Sequence, residues 1–247
     1  MSNTPVSLFW FRRDLRLHDN NALFDALRSG RDVLPVFIFD EDIISDLPVD
    51  DHRVDFIYEA LRMLDTRLRT FGSGLLVIKG KPLNVFRQLL TEYHIEAVYA
   101  NRDHESYGQL RDEMIRALLD ASGIAFHTRL DHLILGRDDV LKADGSPYMV
   151  FTPYSRRWRE RIADRHLKSS HSENYPDKFL RFEAAPFPSR KALGFKSSGM
   201  RLPALQADIP ESLIKDYDKN RDFPALDATS RLGPHLRFGL VSVRELF

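Results

Sequence analysis

Short apolar runs alternate with amphipathic patterns along the first half of the chain. The first run holds Val6, Leu8, Phe9, Trp10 and Phe11, which is too short for a helix and typical of a strand covered on both faces. Further apolar runs predict strands at residues 33–39, 75–78, 97–100 and 124–128. The pattern therefore predicts five strands.

Between these runs, apolar residues recur at helical spacing. After the first strand, four such residues predict a helix that ends at Gly30. Longer patterns predict helices over residues 52–71, from Pro82 to Leu90, and over residues 107–121. Because strand and helix alternate five times, we predict an α/β fold with a Rossmann-like five-stranded parallel sheet and helices on both faces.

The alternation stops at about Leu130. Residues 131–135 predict a last short strand, and residues 155–168 predict a basic helix. A basic helix can bind phosphates, although such a run is more often a solvated face. Residues 171–210 are rich in Ser, Pro and Lys and predict a long surface linker. We expect an α/β domain at 1–135, an interdomain linker with the basic helix at 136–211, and the start of a helical domain at 212–247.

Composition narrows the class of protein without naming a partner. The 247 residues include 36 Lys plus Arg and 36 Asp plus Glu, so any surface that binds nucleic acid must be local. The absence of cysteine excludes disulfides, thiolate metal sites and a cysteine nucleophile, and it agrees with a reducing cytoplasm. No apolar run approaches the roughly 20 residues that span a bilayer. We expect a cytoplasmic monomer that does not enter a membrane.

Charged residues are concentrated directly after the first predicted strand, between residues 12 and 19. Open α/β sheets place their ligand crevice at this end of the strands. No Gly-x-Gly-x-x-Gly motif follows the strand, which argues against an ordinary dinucleotide site. The sequence does not decide whether Asp14 and Asp19 simply pair with neighbouring arginines to hold the turn.

Two stretches carry a family resemblance. Residues 8–21, LFWFRRDLRLHDNN, resemble the N-terminal signature W-F-R-R-D-L-R-x-x-D-N of the DNA photolyase/cryptochrome family, without a gap. Residues 148–154, YMVFTPY, resemble the Y-x-V-F-T-P-F/Y segment of the same family. The resemblance implies the α/β architecture of the N-terminal photolyase domain.

A third stretch, residues 217–239, places hydroxyl groups ahead of a predicted helix. Thr229 and Ser230 precede a helix with Pro234 in its first turn and Gly239 at its end. Hydroxyls and free amides at a helix start can bind phosphate. Serine and threonine also cap helices routinely, and the residues alone favour capping.

The resemblance reverses that preference, because family members carry a tyrosine, an R-D-F-P string and a T-S-x-L-S string at this spacing. It implies that Tyr217 lines the flavin site of an FAD-binding helical domain. The residues implied to wrap the FAD diphosphate are Thr229, Ser230, Arg231, Leu232 and Gly233. Arg221 matches an arginine that approaches the DNA backbone. Gly233 departs from the serine of many members and removes one hydroxyl contact to FAD.

Some members of the family also hold an antenna pigment. Folate-using members carry Asn-Glu at the position aligned with Tyr107 and Gly108, so the resemblance favours a deazaflavin or flavin antenna, or none, over folate. For a pigment in the crevice, the expected lining residues are Arg53, Asp103 and Glu105. A solvated loop and helix start is an equally good interpretation of these three residues.

The resemblance implies a class I-type deoxyribodipyrimidine photo-lyase, which repairs cyclobutane pyrimidine dimers in damaged DNA with FAD and blue light. A cryptochrome-type signalling flavoprotein or a (6-4) photolyase is the alternative, because these motifs do not separate them. Ser242 and Glu245 form a capping box, yet the sequence stops at Phe247. We therefore expect the N-terminal part of the enzyme, without its catalytic pocket, inactive alone and weak in FAD retention.

Overall fold

Five parallel strands form the centre of this computed structural model, which describes residues 4–200 and 209–247. The strands are β1 (Val6–Phe11), β2 (Asp32–Asp40), β3 (Leu76–Gly80), β4 (Ile95–Asn101) and β5 (Ala125–Arg129). Their order in the sheet is β3-β2-β1-β4-β5, and all neighbours are parallel. The predicted α/β fold is confirmed. Residues 201–208, in the predicted linker, lie outside the described residues.

Helices follow the strands, and shorter ones occupy the second half of the chain. In the first half they are α1 (Asn21–Leu27), α2 (Glu41–Ile44), α3 (His52–Arg69), α4 (Pro82–Glu92) and α5 (Ser106–Asp120). The second half adds α6 (Phe151–Arg161), α7 (Asp164–Leu167), α8 (Glu211–Lys215), α9 (Tyr217–Asn220) and α10 (Gly233–Arg237). None of the helices in the described residues is both long and apolar enough to cross a membrane.

The central position of β1 follows from its composition. All six of its residues are buried, and it pairs with β2 on one side and β4 on the other. Phe9 and Phe11 pack against α1 and α3, whereas Leu8 and Trp10 pack against α4 and α5 on the opposite face. Burial of each large apolar side chain contributes about 1.5–3 kcal/mol. A strand that is apolar on both faces is therefore stable only in the middle of the sheet.

The predicted strand at residues 131–135 is wrong. These residues have no strand in the structure, because the first of them is drawn into a buried ionic cluster. The Asp131 carboxylate accepts hydrogen bonds from Arg16 at 2.7 Å, from Arg244 at 2.8 Å and from the amide of Asn21 at 3.1 Å. Ile134 and Leu135 turn into a small apolar cluster instead of extending the sheet.

The predicted helix at residues 155–168 is also wrong, because it consists of two helices, α6 and α7. Ile162 adopts an extended conformation and packs into the cluster of Ile134 and Leu135. The amide of Ala163 donates a hydrogen bond to Nδ1 of His166 at 3.0 Å, which starts a separate turn. Tertiary packing at Ile162 thus overrides a continuous helical pattern.

The segment around residues 171–200 follows the outside of the domain but is not merely superficial. Phe179, Leu193 and Phe195 are buried in the core that covers α3. Phe179 also forms an isolated parallel bridge with Val33. Whether residues 1–135, 136–211 and 212–247 are separate domains stays a prediction.

The C-terminal segment lies directly on the loop that follows β1. Ser242 is fully buried and donates a hydrogen bond to the Asp19 carboxylate, so the predicted helix start at Ser242 and Glu245 is wrong. The Leu15 amide donates to the Phe238 carbonyl at 3.1 Å. A Cβ on Gly239 would lie 2.2 Å from the carbonyl oxygen of Arg13, and the φ of Gly239 is 63°. Only glycine permits this approach.

We expect Gly239→Ala to lower the free energy of unfolding by about 2–4 kcal/mol, because the new methyl group strikes backbone and the residue is left-handed. Urea unfolding at pH 7 measures the change. Gly30→Ala is the matched control: Gly30 has a φ of 87°, but a Cβ there has no neighbour within 4 Å. That variant should lose only about 1 kcal/mol. Equal losses in both variants would contradict close packing at Gly239.

Candidate functional site

The order of the strands defines one crevice in the sheet. β1 and β4 lie side by side, while their following connections run to opposite sides, to β2 and to β5. Ligands of open α/β sheets bind outside the carboxyl ends of the strands at such a point. The loops that start at Arg12, after β1, and at Arg102, after β4, therefore form the walls of the crevice.

The first arginine of the crevice is structural. The Arg12 guanidinium donates to both Asp112 oxygens, at 2.5 and 2.6 Å, and to the Asn101 carbonyl. It also stacks 5.0 Å from the Trp10 ring. Burial lowers the pKa of Arg12 from its ordinary value. A guanidinium with these partners holds β1, β4 and α5 together.

The two aspartates of the β1 loop also hold the turn. Asp14 accepts hydrogen bonds from the Arg12 amide at 2.7 Å and from the Asn101 side chain at 2.6 Å. Burial raises the pKa of the Asp14 carboxyl. Asp19 pairs with Arg244, at 2.9 Å. Both aspartates hold the turn, but neither carboxylate pairs with the guanidinium of a neighbouring arginine: Asp14 is held by amide groups and Asp19 by the sequence-distant Arg244.

A cavity of about 220 Å³ opens beside this loop. Its floor is apolar and comes from β1, β2, α2, α3 and the connection between the two helices: Trp10, Phe11, Phe37, Ile38, Phe39, Ile43, Ile44, Leu47, Val54 and Ile57. Arg53, Asp103 and Glu105 lie on its rim. The structure thus brings the three sequence-predicted antenna residues to one cavity.

The acidic residues of the rim are ionised and paired. Burial alone would raise the pKa of Asp103, but the Glu105 amide and the Arg13 guanidinium lower it below its ordinary value. A hydrogen bond from Arg237, with a second from Arg13, lowers the pKa of Glu105. Arg237 lies 2.8 Å from Glu105. The rim therefore offers hydrogen-bonding groups with little net charge.

A second polar group at the cavity was missed by the sequence analysis. The Tyr107 hydroxyl donates to the Asp40 carboxylate at 2.8 Å, and Arg111 lies 3.8 Å from the same carboxylate. Burial raises the pKa of Asp40, whereas the Tyr107 hydrogen bond opposes the increase. Burial and the neighbouring Asp40 raise the pKa of Tyr107 well above its ordinary value. The position of Asp40 at the end of β2 was the available signal.

A different cavity collects the residues assigned to FAD by resemblance. It has a volume of about 380 Å³, and its polar wall consists of Tyr217, Thr229, Ser230, Arg231, Leu232 and Gly233. Its apolar wall is formed by Ile209, Leu213 and Ile214. Arg221, at the end of α9, is not among its lining residues.

The helix after this cavity begins and ends as predicted, with Pro234 in its first turn and Gly239 at a positive φ. Its N-cap is Leu232, without a side-chain capping hydrogen bond. Thr229 and Ser230 therefore do not cap the helix. Arg231 has a φ of 52° and pairs with Asp227 at 2.9 Å.

These features agree with a match between residues 7–174 and the model of the family described as DNA photolyase. The chain belongs to the DNA photolyase family.

Two relatives of known sequence put the length of the chain in context. A deoxyribodipyrimidine photo-lyase of Synechococcus sp. (strain ATCC 27144 / PCC 6301 / SAUG 1402/1) is 31% identical in an alignment of 252 positions that covers 96% of this chain and 52% of that protein. An uncharacterized 31.6 kDa protein of Synechococcus sp. (strain PCC 6716) is 32% identical in an alignment of 256 positions that covers 98% of this chain and 88% of that protein. The chain thus spans about half the length of the photo-lyase.

A solved photolyase has the same fold. The archaeal photolyase of Sulfolobus tokodaii aligns with a TM-score of 0.71 and 26% identity, over 97% of this chain and 53% of that one. That structure is described with two FAD molecules and the implication of a novel light-harvesting cofactor.

We expect Tyr107→Phe to destabilise the protein by about 1–2 kcal/mol at pH 7, because the buried Asp40 carboxylate loses a donor. Loss of this donor raises the pKa of Asp40 further. Since the folded state then favours the protonated carboxyl, the penalty should grow as the pH rises through that pKa and shrink as it falls. Urea unfolding between pH 4 and pH 8 measures this dependence.

The matched control for this variant is Tyr93→Phe. The Tyr93 hydroxyl makes no hydrogen bond within the described ranges, and Tyr93 packs beside the core of α4. We expect a change below about 0.5 kcal/mol in the control. A Tyr107→Phe penalty that does not vary with pH would show that Asp40 does not depend on this donor.

Proposed function

We propose that this chain provides the chromophore-binding side of a deoxyribodipyrimidine photo-lyase, which uses FAD and blue light to repair cyclobutane pyrimidine dimers in DNA. The observation that carries the proposal is the cavity of about 380 Å³ that groups Tyr217 with residues 229–233. Eleven residues separate Tyr217 from Thr229 along the chain, so their meeting on one wall is a property of the fold. The chemistry of that wall fits a phosphate-bearing flavin.

Different side chains of this cavity would contact different parts of FAD. The hydroxyls of Thr229 and Ser230, which do not cap α10, would donate hydrogen bonds to phosphate oxygens, and Arg231 would supply positive charge. Tyr217, with 48% of its surface exposed, would pack against the cofactor. When bound, FAD supplies light absorption and electron transfer. Because about half of the Tyr217 surface stays exposed, we expect the 247-residue chain to retain FAD weakly. We also expect no repair by this chain alone.

The cavity beside β1 fits an antenna chromophore. Its volume of about 220 Å³ is slightly below the roughly 300–1,000 Å³ of typical ligand pockets, so it would hold a ring system and not a whole dinucleotide. The apolar floor would contact the face of a planar ring, while Arg53, Asp103 and Glu105 would bond to its polar edge. An apolar floor with a polar rim favours a deazaflavin or a flavin, because both have a planar ring with a polar edge. Two FAD molecules in the Sulfolobus tokodaii relative support a second chromophore.

Damaged DNA is the proposed partner, with Arg221 as its contact in this chain. The Arg221 side chain is 56% exposed and lies 3.9 Å from its nearest carboxylate, that of Asp222. A guanidinium held this loosely can turn to a phosphate diester. No metal enters the proposed reaction.

The test of the proposal starts with an absorption spectrum of the full-length gene product, purified from its own cells, because the 247-residue chain alone is not expected to repair DNA. Blue-light illumination with dimer-containing DNA follows, with the remaining dimers counted. Flavin bands together with light-dependent loss of dimers are the expected result. Flavin without loss of dimers would contradict dimer repair and favour (6-4) repair or cryptochrome signalling. Absence of flavin would contradict the assignment of residues 229–233.

A substitution on the rim tests the antenna assignment. We expect Arg53→Ala to weaken binding of FMN or a deazaflavin by about fivefold, since one charged hydrogen bond near the surface is lost. Quenching of chromophore fluorescence during titration measures the dissociation constant. Arg62→Ala is the matched control, because Arg62 lies on the same helix, is similarly exposed and also has one acidic partner, but lies off the cavity. Equal effects would place the chromophore elsewhere.

A further inference from the structure

A third cavity lies between α1 and the residues that follow β5. Its volume is about 490 Å³, within the range of small-molecule sites. Neither the proposed FAD residues nor the proposed antenna residues line it. Its walls come from α1, from residues after β5, and from the short helix α7 and the residues that follow it. Three distant parts of the chain, together with Arg244, therefore line one partly open cavity.

Positive charge dominates the lining of this cavity. Arg28, Arg165 and Lys168 line it, and none of the three forms an ion pair within residues 4–200 and 209–247. No Asp or Glu is among its lining residues. Arg244 also reaches it, but the charge of Arg244 is balanced by buried carboxylates. Three cations without a counter-ion create a local positive potential in a chain with no net charge.

The break between α6 and α7 produces this arrangement. The sequence predicted one basic helix, whose charges would form a solvated face. After the extended residue Ile162, the chain instead turns so that Arg165 and Lys168 face the domain, while Arg156 and Arg161 stay on α6, off the cavity. Part of the basic run is thus placed against α1, where Arg28 adds a third cation.

The remaining lining suits an organic body attached to an anion. Phe24 presents a ring with the Arg28 guanidinium 5.1 Å from its centroid, and Leu133 is 39% exposed. The Ser169 hydroxyl makes no hydrogen bond to the described part of the chain and lies beside the cations. Guanidinium, ammonium and hydroxyl groups together are the donors that bind phosphate. The apolar groups beside them would contact a ring.

We propose that this cavity binds a phosphate ester with a ring-bearing body, as in a nucleotide or in one nucleotide of a single strand. Arg28, Arg165 and Lys168 hold the phosphate, and Phe24 and Leu133 contact the ring. This inference does not depend on the proposed photolyase reaction. It can hold in a protein without repair activity, and repair can occur without it.

Calorimetric titration of the full chain with ADP, and separately with a ten-nucleotide single strand, tests the proposal at low salt. The double variant Arg165→Ala, Lys168→Ala should weaken the binding of the better probe by about tenfold or more, because two charged hydrogen bonds are lost. Both side chains are exposed, so the melting temperature should not change. The matched control Arg156→Ala, Arg161→Ala removes the same charge from α6 and should change affinity less than about twofold.

The probes and a second control separate the outcomes. Tighter binding of ADP identifies a free nucleotide, and tighter binding of the strand identifies nucleic acid, each with the same loss in the double variant. Thr229→Ala, Ser230→Ala is included because ADP is part of FAD. ADP binding that this variant abolishes, while Arg165→Ala, Lys168→Ala preserves it, would overturn the proposal. So would equal loss in the α6 control, or no binding of either probe.

Discussion

A buried cluster of four charged side chains holds the described parts of the chain in one arrangement. Arg16 and Arg244 face Asp19 and Asp131, and each is less than 8% exposed. Burial alone would raise the pKa of Asp19, but hydrogen bonds from Arg244, Ser242 and the Ser170 amide lower it. Such a cluster adds little net stability because desolvation of the charges offsets their attraction. Separating its members, however, leaves a buried charge unpaired, at a cost of about 3–5 kcal/mol. The cluster therefore selects one position for the C-terminal segment.

That position links the two proposed chromophore sites. The helix α10 begins at Gly233, on the cavity that groups residues 229–233 with Tyr217, and is followed by Phe238, on the cavity beside β1. Helix geometry puts these ends only about 7 Å apart along the axis. Contacts at Gly239 and the ionic cluster anchor the segment that follows. The two cavities thus share one short rigid element, and its placement decides the shape of both.

The sequence predicted what depends on local pattern and failed where distant partners decide. The five strands were predictable because each is a short apolar run, and Asp103 and Glu105 were predictable as crevice residues because they directly follow β4, at the edge where the parallel strands end. The capping box at Ser242 failed because its hydroxyl bonds to Asp19, 223 residues earlier. The strand at residues 131–135 failed for the same reason. No local pattern records that a carboxylate will meet a guanidinium from the other end of the chain.

The pairing state of the arginines separates the chemistry of the cavities. Arg12 and Arg13 lie at the crevice, in the charged stretch that follows β1, yet carboxylates already neutralise both. An anion there would have to displace a carboxylate that is already hydrogen-bonded, so the crevice favours a neutral ring over a phosphate. Arg165 and Lys168 belong to a run that the sequence alone assigns to solvent, yet they lack such partners. Because an unpaired cation loses less on binding an anion than a paired one, the cavity beside β5 is the better phosphate site.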